Sequence, residues 1–152
     1  MIEHAESWSE NWAWGVPLIV LTVLAHGFAL VQIYERVVVH LTQTLSARRS
    51  STVFAAVVAA TVQLVTILHG AEAVVWATAY VALGALDDAR LAMLFSLNAM
   101  TTYGHDNLVL EKHWRLMGAL EALNGVILFG LTTAFLFSVF QDHVRDRRTK
   151  RG

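Results

Sequence analysis

Three stretches of this chain lack Asp, Glu, Lys and Arg for longer than a soluble domain would need. They are the 24 residues between Glu10 and Glu35, the 22 between Arg49 and Glu72, and the 20 between Glu121 and Asp142. A helix crossing the hydrocarbon core of a bilayer needs roughly 20 residues, so each stretch is long enough to span. A fourth uncharged window, Leu91–His105, holds 15 residues. That is too short to cross and suits a buried or re-entrant segment. The remaining composition agrees: 15% of residues are charged and mean hydropathy is +0.52, against about 25% charged in a typical soluble domain.

The ends of these windows predict a topology. Met1–Gly15 carries Glu3, Glu6 and Glu10 without a Lys or Arg, together with Trp8, Trp12 and Trp14. We read residues 1–15 as an extracytoplasmic acidic arm, its tryptophans suited to the membrane interface. An acidic start does not fit a cleavable signal peptide, so the first span is expected to be retained. Residues 16–39 form that span, with Pro17 in its first turn, where a missing N–H does no harm. Residues 40–52 form a connector with Arg48 and Arg49, close to Arg36, and residues 142–152 form a tail with five Lys and Arg. Basic flanks collect on the cytoplasmic side, so the connector and tail are placed inside and the N-terminus outside. The expected location is the inner (plasma) membrane, multi-pass.

Residues 53–141 then hold an outer helix over 53–84, a short helix over 88–101, a loop over 101–107 and an inner helix over 114–141. Asp87 and Asp88 suit the start of the short helix, where an acidic side chain satisfies free N–H groups. Gly118, Ala122 and Gly125 fall at i, i+4 and i+7, a stripe that lets another helix come close. His69 and Glu72 are three residues apart and share a face. A hydrogen-bonded structural pair is the plainer reading of the two, a proton relay the sharper one. His26, alone in the first span, reads as packed against a neighbouring helix ahead of any ligand role. Cysteine is absent, which excludes disulfides and thiolate metal sites. No Ser-His-Asp order, HExxH, phosphate-binding Gly loop or other catalytic constellation occurs, so an enzyme is not expected.

The order helix, short helix, polar loop, helix resembles the tetrameric pore-loop channels. Ser96-Leu97-x-x-x-Thr101-Thr102 looks like the end of a potassium-channel pore helix leading to the filter threonine. Trp114-Arg115-Leu116, Gly125 and Phe129-Gly130-Leu131-x-Thr133-Ala134 look like the inner helix, with Gly125 at the gating hinge. His69-Gly70-x-Glu72, Trp76-Ala77 and Tyr80 are similar to the outer helix of small bacterial members that carry an extra N-terminal span. The resemblance covers residues 54–141. It implies an all-α membrane protein: three transmembrane helices plus a re-entrant pore helix and filter loop, a potassium-channel-like pore domain. It further implies a homotetramer embedded in the lipid bilayer that conducts cations passively. Nothing in the chain points to nucleic acid or to a small-molecule substrate.

The filter departs from the family pattern. Where TVGYG followed by Asp is usual, this chain has Thr102-Tyr103-Gly104-His105-Asp106 followed by Asn107. Such filters replace the ion's hydration shell with backbone carbonyls. The resemblance therefore places monovalent cations, potassium or sodium, against Thr101, Thr102, Tyr103, Gly104, His105 and Asp106. Three outcomes stay open. The lower filter conducts cations with altered selectivity; His105 and Asp106 bind a divalent metal, both being ligand types; or the loop conducts nothing and the fold serves as a scaffold. No other cofactor is implied. Glu121 lies seven residues beyond Trp114, or ~10 Å along a helix. That is the level of the pore helix, so Asn98, Asn107, Glu121 and Asn124 are expected to support the loop; the reading of equal weight for Glu121 is a protonated carboxyl hydrogen-bonded between helices.

Overall fold

The computed structural model describes residues 2–40, 51–104 and 108–149, with side chains for 8–40, 52–104 and 108–145. Among the described residues every regular element is helical. Helix α1 runs Ile2–Ile33 and continues as a π-helical segment, Tyr34–Val39. Helix α2 runs Ser51–Ala82, α3 Ala89–Met100, and α4 Arg115–Thr149 after a 3-10 turn at Lys112–Trp114.

Three segments are long and apolar enough to cross a membrane: Trp8–Val39, Thr52–Ala82 and Lys112–Arg145. Their outward faces carry large apolar side chains. Leu24 is 68% exposed, Phe28 69%, Val126 58% and Phe137 62%. A soluble monomer does not present apolar surface on this scale, and lipid accommodates it without cost. Helix α3, with 12 residues, is too short to span.

The chain divides into two compact units. The first comprises Met1–Ala25 and His69–Leu128. Its core gathers Trp76, Tyr80, Phe95, Met117 and Leu120, all buried. A smaller cluster joins Ala73, Met100 and Leu128. Tyr80 and Phe95 meet edge to face with centroids 5.3 Å apart, a favoured aromatic geometry. The second unit comprises His26–Leu68 and Phe129–Gly152. It packs Val38, Val57 and Val139 with Tyr34 and Phe135. Tyr34 donates to Asp142 at 2.7 Å, and His26 Nε2 lies 3.0 Å from Thr132 Oγ1.

Two differences from the sequence reading concern the ends of helices. Residues 2–15, read as an arm ahead of the span, are helical and continuous with α1. The reason lies in the first unit: Asn11 is buried and its side chain bonds the start of α4, which fixes this turn of α1 in place. The last helix also continues past residue 141 to Thr149, so part of the basic tail is helical.

Candidate functional site

The short helix α3 is held at both ends by the chemistry of its own termini. Asp88 caps its start in an extended conformation, its Oδ1 accepting from the N–H groups of Arg90 at 2.8 Å and Leu91 at 2.9 Å. This satisfies two of the N–H groups that a helix start leaves free. Its end closes in a Schellman motif: Thr102 N–H donates to Ala99 O at 3.0 Å and Tyr103 N–H to Asn98 O at 3.0 Å. The residue that turns the chain is Thr102, with φ +55°. Helix α2 ends in the same motif, with Gly84 at φ +66° and Ala85 N–H bonding Tyr80 O at 2.8 Å. Glycine takes this conformation freely, whereas a β-branched threonine is rare there. Thr102 is the strained member of the pair.

The flanks of α3 are held by the first unit's other helices. The Ser96 hydroxyl is 2.9 Å from the Ala73 carbonyl of α2 and also donates to the Glu121 carboxyl of α4. Tyr80 of α2 donates to the other oxygen of Glu121 at 2.6 Å. Ser96, Tyr80 and Glu121 are each fully buried, so these bonds form where water cannot replace them and are costly to break. The small-residue stripe of α4 receives the same helix. A Cβ on Gly118 would sit 2.9 Å from the ring of Phe95, and one on Gly125 would sit 2.7 Å from Met100 Cα. Only glycine permits the second approach, because backbone stands there and cannot move aside.

The loop beyond Met100 is open. Thr101, Thr102, Tyr103 and Gly104 are all exposed, Tyr103 to 85%. Along it the sign of φ alternates: −85° at Thr101, +55° at Thr102, negative at Tyr103 and +94° at Gly104. Beside it lies a groove of about 460 Å³ whose lining includes Asn98, Thr102, Gly104, Arg115, Gly118 and Ala122. His105, Asp106 and Asn107 lie outside the described residues.

The other residues singled out from sequence are placed as follows. Asn98 lines the groove and is not among the partners of Glu121. Asn124 is buried and accepts from Thr22 of α1 at 3.2 Å. Gly125, read by resemblance as a hinge, stands at the tightest contact between α3 and α4. His69 Nδ1 lies 3.2 Å from Glu72 Oε2, the pair expected three residues apart on one face. Two features escaped the sequence reading. One is the pairing of Glu121 with Ser96 and Tyr80, side chains 25 and 41 residues away. The other is Asn11, whose amide donates to His113 O at 2.6 Å and accepts from Met117 N–H at 2.9 Å, while Glu10 pairs with His113. Asn11 thereby caps α4 from another helix, and its sole signal is an amide beside three tryptophans.

No protein-family model matches the chain, and neither a curated protein nor a solved structure is significantly similar to it.

Proposed function

We propose that this protein is a potassium-channel-like membrane channel, a homotetramer that conducts cations passively around the Thr101–Asp106 loop. The observation that carries this reading is the seating of α3. A non-spanning apolar helix is anchored through the one Ser96 hydroxyl, which lies between the buried Glu121 carboxyl and the Ala73 carbonyl, and ends in an exposed polar loop. A bilayer cannot satisfy such a loop, so protein or water must surround it. A ring of four such loops supplies both. Thr101 and Thr102 hydroxyls and carbonyls, with Tyr103 and Gly104 carbonyls, then form the cation path, and His105 and Asp106 its mouth. The ion is monovalent, potassium or sodium, with a divalent cation at His105 and Asp106 the variant form. In the plasma membrane the N-terminus faces outside and the basic tail the cytoplasm.

One observation favours a second reading, a non-conducting scaffold on the same fold. The positive φ of Thr102 is accounted for by helix termination alone, since it closes a Schellman motif. Ion flux decides between them. The purified protein is reconstituted in vesicles, its subunit number is measured in detergent, and potassium, sodium and calcium fluxes are followed. A conducting tetramer supports the channel. A dimer removes the ring, and a tetramer passing none of the three ions leaves the scaffold.

A further inference from the structure

The second unit exposes an amide well inside a helix long and apolar enough to cross a membrane. Gln63 stands 11 residues inside the span Thr52–Ala82, which is ~16 Å along a helix and about half the thickness of a hydrocarbon core. Its side chain is exposed, and among the described residues no group hydrogen-bonds it. It lies in a shallow groove of about 540 Å³ formed with Phe54, Ala55, Ala59, Val62, Thr66 and Phe140. The one hydroxyl in that groove is already engaged: Thr66 donates to Val62 O at 2.9 Å.

Acyl chains offer an amide nothing to bond, and an unpaired amide in hydrocarbon is costly. The groove must therefore receive a partner carrying both a donor and an acceptor at the same depth. A carboxamide is self-complementary: its N–H group matches the oxygen of an identical side chain. We propose that this face of α2 is an interface with a second copy of the same chain, the two Gln63 amides exchanging hydrogen bonds across a two-fold axis. Isologous contacts of this kind bring each residue opposite itself or its neighbour. Ala55 and Ala59, two turns and one turn before Gln63, leave the partner helix room to approach. None of the loop residues takes part, and neighbours in a four-fold ring meet through unlike faces, so in a tetramer this two-fold contact joins one ring to the next, and it stands whether or not the loop conducts.

The chain contains no cysteine, so Gln63→Cys introduces a single thiol. In native membranes under oxidation it is expected to give a disulfide-linked product of twice the chain mass. Leu24→Cys, 68% exposed on α1, reports random collision and is expected to cross-link little. Gln63→Leu is expected to weaken self-association by roughly threefold to fifteenfold, the range of hydrogen bonds between membrane helices. Gln63→Asn, which keeps the amide, should retain more of it. Because residue 63 is exposed, these substitutions leave both cores intact. Equal cross-linking at positions 24 and 63, a product containing only a different protein, or unchanged association of Gln63→Leu would each overturn the proposal.

Discussion

Tyr80 donates its hydroxyl to the Glu121 carboxyl at 2.6 Å, across 41 residues and between two helices long enough to span a membrane. The other oxygen of that carboxyl takes the Ser96 hydroxyl of α3. Three helices thus share one buried carboxyl. Tyr80→Phe leaves the ring and its contact with Phe95 and removes one donor. It should destabilise the folded protein by roughly 1–3 kcal/mol, the cost of stranding a buried polar group. Thermal unfolding in detergent measures this. Combined with Glu121→Gln, the loss should be clearly non-additive, because the residues share one network.

Gly125 tests the packing of α3 differently. Gly125→Ala places a methyl 2.7 Å from Met100 Cα, and overpacking against backbone costs roughly 1–3 kcal/mol. Gly130→Ala on the same helix meets nothing within 4 Å. It should be neutral or stabilise by up to about 1 kcal/mol through helix propensity. Parallel unfolding of the two variants checks the contrast.

Thr102 separates the two functional readings. Thr102→Gly relieves the left-handed conformation and should stabilise by about 1 kcal/mol. If Thr102 lines a cation path, the same variant loses a hydroxyl ring and its flux falls. Stability gained with flux unchanged at zero marks Thr102 as a helix cap alone. Unfolding and vesicle flux on one preparation give the answer.

Much of this arrangement is legible in the amino-acid order, and the reasons differ by residue. The three spans follow from missing charges, which no tertiary contact can imitate. Asp88 is a strong N-cap residue and Thr101-Thr102 interrupts an apolar run, and the caps of α3 are Asp88 and Thr101. The stripe of Gly118, Ala122 and Gly125 announces a close neighbour without naming it, and the neighbour is α3. The partners of Glu121 were not legible. Periodicity places a carboxyl on a face but says nothing about which hydroxyls from two other helices arrive there. Asn11 was hidden for the same reason: its bonds reach 102 and 106 residues along the chain.

Asn11 also yields a prediction. Asn11→Ala frees Met117 N–H and His113 C=O at the start of α4 and should cost roughly 1–3 kcal/mol. Because the groups freed are local, hydrogen exchange at the Met117 amide should accelerate more than exchange at Leu128 in the core. Equal acceleration at both would show a global effect and count against a capping role.

The long reach of these bonds has a consequence for how the protein is made. Asn11 and Thr22 enter the membrane with the first span, while their partners His113 and Asn124 each lie 102 residues later. At ordinary synthesis rates of about 5–20 residues per second, that interval is roughly 5–20 s. For that time the Asn11 amide waits without its final partner, while the Thr22 hydroxyl has the carbonyls of Leu18 and Ile19 in its own helix. A chain arrested before residue 113 should therefore hold its first helix loosely and be the form most readily recognised by membrane quality control.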